Sequence, residues 1–131
     1  GELGIKVGPI ANEYPAFESG RRIVPGVLAS GATAAIAFDD VTAQGMLAEL
    51  LARGISVPEQ LSVVGCDDVL GATTYPSLTS VSNRSVEAGK TALMLLVDIL
   101  SNKAIRDVRY VLRTTVVIRS TTGAAVAMAR P

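Results

Sequence analysis

Two apolar runs in this sequence each end in a pair of aspartates. The run AAIAF at 34–38 is followed by Asp39 and Asp40, and LSVVGC at 61–66 by Asp67 and Asp68. Four of the chain's 12 acidic residues therefore fall directly after its two most strand-like segments. An ionised carboxylate only accepts hydrogen bonds, so it suits ligands rich in O–H or N–H donors, such as polyols and amines. In an open α/β sheet, ligands bind at the carboxyl ends of the strands. Neighbouring strands lie ~4.8 Å apart, which lets acids from both pairs reach one small molecule. Asp40 is well placed to cap a following helix and Asp68 to fix a loop. Asp39 and Asp67 are then the candidate ligand contacts. A solvated acid at a loop start is the competing reading for those two, and the pattern alone does not separate them.

The elements that must position these acids follow from hydrophobic spacing. Continuous apolar runs of strand length, such as 34–38 and 61–66, suit strands buried on both faces of a parallel sheet. Between them, DDVTAQGMLAELLARG reads as a helix with an aspartate cap and a stripe of Met46, Leu47, Leu50 and Leu51. Gly54 fits the left-handed position that ends such a helix, and Pro58 prevents its continuation. Strand, helix and strand over about 30 residues make a βαβ unit with a right-handed crossover.

Upstream, residues 5–10 read as a short strand and 18–29 as a helix kinked or broken at Pro25 and Gly26. Downstream, DDVLGATTYPSL is a long loop and TSVS a short strand. Residues 84–101 read as a long helix with Val86, Leu93, Leu96, Val97 and Leu100 on one side. Residues 109–121 are β-branched and strand-like. The end of the chain, 124–131, has no periodicity and is expected to be disordered.

Composition excludes several classes. Hydrophobic residues make up 49% and charged residues 18%, enough apolar material for a core. Twelve basic residues balance twelve acidic ones, and aromatics are only 4%, which argues against nucleic-acid binding by charge or base stacking. There is no histidine, so Ser-His and Cys-His nucleophile pairs and histidine metal sites are out. No enzyme activity, catalytic residue, metal or cofactor is expected. Cys66 is the only cysteine, so no internal disulfide forms. No apolar run reaches the ~18 residues of a membrane span and no signal peptide is visible, so a cytoplasmic setting without membrane contact is expected. The first residue is Gly1 rather than Met, which reads as a fragment or a processed chain.

The stretch ATAAIAFDDVTAQGMLAELLARGISVPEQLSVVGCDDVLGATTYPSLTSV closely resembles the C-terminal part of LacI/GalR-family transcriptional regulators, and the block VPEQLSVVGCDD carries most of that specificity. The likeness extends back to ESGRR at 18–22 and on to VLRTTVVIRSTT at 111–122. It implies an α/β fold: a mostly parallel sheet flanked by helices on both faces, one lobe of a periplasmic-binding-protein-like core. Residues 1–123 would form that lobe. The helix at 84–101 would pack on a first lobe absent from this sequence, so its apolar stripe is expected to fold back on its own lobe or to be covered by a second chain.

The resemblance also implies roles. Asp39 stands where the family has Asn, and Asp67 matches an acid that often bonds the effector. An aromatic usually precedes the ESG helix; Pro15 aligns with it, with Tyr14 and Phe17 beside it. Cys66 replaces a usual aromatic. Dimer contacts would come from Gln44, Leu47, Leu51, Leu70 and Tyr75. The partners implied are a small-molecule effector, a sugar or other polyol, a second copy of the chain, and operator DNA through an N-terminal helix-turn-helix outside this sequence. A periplasmic sugar-binding protein of a transport system shares the fold and is the alternative. A phosphate-accepting receiver domain also gathers acids at strand ends, but it needs a lysine after a later strand, and Lys6, Lys90 and Lys103 do not supply one.

Overall fold

The computed structural model describes residues 4–12, 14–101 and 108–124. The elements run α1 (Phe17–Ala29), β1 (Ala34–Ile36), α2 (Asp40–Ala52), β2 (Ser62–Asp67), β3 (Thr79–Ser82), α3 (Ser85–Leu100) and β4 (Thr115–Val117). One four-stranded sheet has the order β1-β2-β3-β4. The first two pairings are parallel and β3 with β4 is antiparallel. The expected mostly parallel α/β sheet is present, with 34–38 and 61–66 adjacent in it.

The two faces of the sheet differ. Cross-strand partners share a face, so the register puts Ala35 with Val63, and Gly65 with Ser80 and Val117, on one side. That side meets α1 and α2 around Val24, Val27, Met46, Leu50, Leu61, Val63 and Leu78, all buried. Fully burying one such aliphatic side chain contributes ~1.5–3 kcal/mol. The other side carries Ile36, Val64, Cys66, Val81 and Val116, and here Ile36 is 77% and Val116 60% exposed. Helices on both faces are thus met on one face only among the described residues.

Both ends of α2 are held by local chemistry. Asp39 accepts from the Thr42 amide at 2.7 Å. At the other end Gly54 has φ +69°, as its type predicts, and the Gly54 and Ile55 amides return to the carbonyls of Leu51 and Leu50 at 3.0 and 2.9 Å. Against α1 the fit is backbone to backbone. A Cβ on Gly20 would strike the Thr42 carbonyl oxygen, and one on Gly45 the Phe17 carbonyl oxygen. Arg21 of α1 then reaches Glu49 of α2 through Nε and Nη2, at 3.2 and 3.1 Å.

Three expectations need correction. Residues 5–10 form no strand, and Ile5 and Val7 are 66% and 91% exposed. A strand needs a ladder partner, and none of the described residues lies along the outer edge of β1 to supply one. Of the kink or break expected in α1, the break is absent, the helix continuing through Pro25. Pro25 is exposed, so the hydrogen bond it cannot donate is lost on the solvent side. The α3 helix does not fold back on its own lobe, since none of its residues is buried. Most of the expected tail, 125–131, lies outside the described residues.

The glycine crossing yields a test. Helix propensity alone would make Ala better than Gly at position 45 by ~1 kcal/mol. The backbone overlap reverses this, so Gly45→Ala should destabilise by ~1–3 kcal/mol in urea unfolding. Gly26 has only an ordinary 3.9 Å contact to Ile10, so Gly26→Ala should follow propensity and be neutral or stabilising. Equal effects at the two sites would contradict the crossing. Leu50→Ala, fully buried, should cost ~2–5 kcal/mol by the same measurement.

Candidate functional site

The helix cap expected of Asp40 falls to Asp39. Helix α2 begins at Asp40, so the capping position falls to Asp39, whose Oδ1 takes the Thr42 amide. Asp40 sits one residue inside the helix and turns toward the sheet, where it is only 2% exposed. Ser80 Oγ donates to its Oδ1 at 2.5 Å and the Leu70 amide to its Oδ2 at 3.0 Å. A buried carboxylate is tolerable only with such donors. Asp40 is therefore not the cap but an anchor for β3 and for the loop after β2.

At the end of β2 the chain makes a sharp corner. Asp67 and Asp68 have φ of +94° and +54°, the left-handed region, which costs of order 1–3 kcal/mol for each non-glycine residue. Four contacts hold it. The Asp68 amide donates to Ser80 Oγ at 3.1 Å, and Asp68 Oδ1 pairs with Arg119 Nη2 at 2.7 Å. Arg119 Nη1 also donates to the Leu78 carbonyl at 2.7 Å. Asn83 Nδ2 donates to Asp67 Oδ1 at 2.6 Å. Asp68 thus fixes the loop, as its position suggested.

Asp67 opens onto a cleft of about 730 Å³ between the ends of β2 and β3 and the start of α3. Ser82, Arg84, Ser85, Glu87 and Lys90 share its lining. Arg84 and Glu87 are ion-paired, and Arg84 is itself left-handed at φ +52°. Asn83 and these lining residues were not singled out from the sequence. The available signal was the polar run SNRS just before an apolar helix. Asp39 lies three residues past Ile36 and Asp67 three past Val64, and Ile36 and Val64 are register partners. Both acids thus follow adjacent strands at the same edge of the sheet, but β1 ends at Ile36 and Asp39 does not line this cleft.

The aromatic candidates go elsewhere. Tyr14 is half-exposed and engaged by Arg22, whose Nη2 donates to the phenol oxygen at 2.9 Å and whose guanidinium carbon stands 5.6 Å from the ring centroid. Ser19 Oγ donates to the Tyr14 and Ala16 carbonyls at 2.6 and 2.9 Å, which fixes the turn into α1. Pro15 is exposed beside it. Phe17 lines a second groove. None of the three lines the Asp67 cleft.

That second groove, of about 680 Å³, runs along α2 and the loop 69–76. It brings together Gln44, Leu47, Leu51, Leu70 and Tyr75, with Phe17 at its margin. Leu51 is 79% and Tyr75 fully exposed, whereas Leu47 is 8% exposed and belongs to the core as well. The two hollows lie against different parts of one connection: the loop after β2 enters the cleft at Asp67 and the groove at Leu70.

Cys66 is half-buried on the open face of the sheet. Burial, and then the charges of Asp67, Asp40 and Asp39, push its thiol above the ordinary range. Both effects favour the protonated thiol over the nucleophilic thiolate. Among the described residues no cluster of three or more His, Cys, Asp or Glu is suited to a metal ion, since Asp40 and Asp68 are already committed to protein donors. No described helix is long and apolar enough to cross a membrane.

The sequence signature of the periplasmic binding protein-like domain family covers residues 6–122. Catabolite control protein A of Streptococcus mutans is 30% identical over 121 residues, spanning 92% of this chain and 36% of that protein. The chain thus spans only about a third of the length of that relative. A LacI family transcriptional regulator from Arthrobacter sp. FB24, solved in complex with lactose, superposes with a TM-score of 0.81 at 30% identity, over 93% of this chain and 46% of that one. A LacI family regulator from Enterococcus faecium with bound ribose gives 0.77 at 28% identity, over 85% and 41%. With the family signature across nearly its whole length, and the fold of those regulators reproduced around the paired aspartates, the chain belongs to the LacI/GalR family of transcription regulators, as part of their periplasmic-binding-protein-like effector core.

Proposed function

We propose that this chain supplies one wall of an effector site that takes a small polyhydroxylated molecule, a sugar, at the carboxyl edge of the sheet. The observation that carries the reading is the Asp67 corner. A carboxylate is held there in a costly left-handed backbone, at a strand end, facing a cleft that also offers Ser82 and Ser85 hydroxyls. Acceptors of this kind match a ligand rich in O–H donors. Two family members of the same fold were solved with lactose and with ribose, which supports the class of ligand.

Asp39 contributes from the adjacent strand end. One of its oxygens caps α2, and the other is left for a ligand donor. Two carboxylates facing one small ligand repel, by ~3 kcal/mol for charges ~5 Å apart at an effective dielectric of about 20. The N-terminus of α2 offsets that for Asp39, and the Asn83 amide offsets it for Asp67.

In this reading the remainder of a longer regulator provides the opposite wall of the cleft, covers the apolar stripe of α3, and carries the helix-turn-helix that meets operator DNA. The chain works in the cytoplasm and pairs with a second copy through the α2 groove. An isologous two-fold contact there would join Leu51 and Tyr75, two large side chains that a lone molecule leaves in water. Effector binding then alters operator affinity.

Calorimetry on the full-length regulator against a panel of sugars that includes lactose and ribose tests the site. Asp67→Ala should weaken the best ligand roughly ten- to hundred-fold, the ~1.5–3 kcal/mol of a charged hydrogen bond. Asp39→Asn keeps a good helix cap, so it should change affinity while leaving stability nearly untouched. An Asp67→Ala protein that binds as tightly as wild type would remove the effector from this edge.

Sedimentation velocity tests the pairing separately. Leu51→Glu combined with Tyr75→Glu should convert the dimer to monomer, because a stable contact must bury over ~1,000 Å² and cannot accommodate two unpaired acids. A double variant that remains dimeric places the contact elsewhere.

A further inference from the structure

Beneath the proposed effector contact lies a chain of hydrogen bonds whose two buried side chains, Ser80 and Asp40, do not line the cleft. Ser80 is fully buried, and Asp40 nearly so. Ser80 Oγ receives the Asp68 amide at 3.1 Å and passes its own proton toward Asp40 Oδ1 at 2.5 Å. The second Asp40 oxygen receives the Leu70 amide at 3.0 Å. One carboxylate therefore gathers the amides on both sides of Val69, that of Leu70 directly and that of Asp68 through one hydroxyl. These are the bonds that turn the chain through two consecutive left-handed residues and leave the Asp67 carboxylate at the cleft, on Asn83. Neither Ser80 nor Asp40 lines the cleft.

We infer that Ser80 and Asp40 are positioning residues for the effector contact made by Asp67. The inference rests on the reading of Asp67 as that contact. Without the Ser80 hydroxyl, the Asp68 amide loses its acceptor and Asp40 loses one of its two donors. The corner then loses its main-chain tether at Asp68 and keeps the side-chain contacts, Arg119 on Asp68 and Asn83 on Asp67, and relaxation of either left-handed residue swings the Asp67 carboxylate off Asn83. The sequence supports the geometry at one further point. Gly65 is glycine because a Cβ there would run into Asp40 Oδ1. The strand gives up a side chain in its middle to let this carboxylate approach.

The test needs no ligand. In TROSY spectra of the deuterated full-length regulator, the Asn83 side-chain amide should be displaced from free-amide positions by its bond to Asp67. The Asp68 amide should be protected from exchange. Ser80→Ala should collapse the Asn83 signals toward free-amide positions and speed Asp68 exchange at least ten-fold. Ser80→Thr, which keeps the hydroxyl, should restore both. Leu50→Ala, a core change far from the corner, should leave the Asn83 signals in place however much stability it removes. If Ser80→Ala does not fold, Asp40→Asn is read in the same way, since its amide can face only one of the two donors as an acceptor. The inference is overturned if the Asn83 and Asp68 signals of the hydroxyl-less protein match wild type, or if Leu50→Ala moves them equally. Failure of Asp67 as the effector contact would show only in the sugar calorimetry, so the two readings fall separately.

Discussion

A buried carboxylate is the constraint around which this fold is arranged. Taken out of water alone, Asp40 would cost several kcal/mol, and it is stable only because a hydroxyl and an amide meet it. Each of those donors belongs to a different segment: Ser80 to β3 and Leu70 to the loop after β2. The need to satisfy one side chain thus ties the N-terminus of α2 to the far side of β2. It explains why β2 carries a glycine in its middle, where packing would favour a larger residue. It also explains why the loop leaves β2 through two left-handed aspartates instead of continuing the strand.

The placement of α2 follows from the same anchor. Its first turn is fixed by Asp39 and Asp40, and its last by the Gly54 turn. Its flank lies so close to α1 that the crossing uses two glycines. Held at both ends, α2 presents its N-terminus to the proposed effector edge and its side to the groove at Leu51 and Tyr75. The proposed ligand site and the proposed pairing surface are thereby attached to the same rigid body.

Apolar surface is distributed unevenly. One face of the sheet is sealed by α1 and α2, while Ile36 and Val116 on the other stay in water and no residue of α3 is buried. Exposed apolar surface on this scale is uncommon in a complete soluble domain. It agrees with a chain that spans about a third of the catabolite control protein it resembles.

Much was legible in the sequence. Apolar runs of strand length marked β1 and β2, a 3.6-residue stripe marked α2, and Gly54 marked its end, because these depend on local spacing and backbone freedom. The paired acids pointed to the carboxyl edge of the sheet proposed for the effector, and the family block VPEQLSVVGCDD pointed to the right fold. What spacing could not decide was which acid of each pair does what. Asp39 and Asp40 are chemically identical, and only the starting residue of α2 and the position of Ser80, forty residues away, send one to the cap and the other into the core. The same holds for residues 5–10, which have a strand's composition but no neighbour to pair with, and for Phe17, whose side chain is drawn to the α2 groove by the close crossing of the helices. Local chemistry is written along the chain. The choice among equivalent partners is made by contacts between residues far apart in sequence, and so it belongs to the tertiary structure.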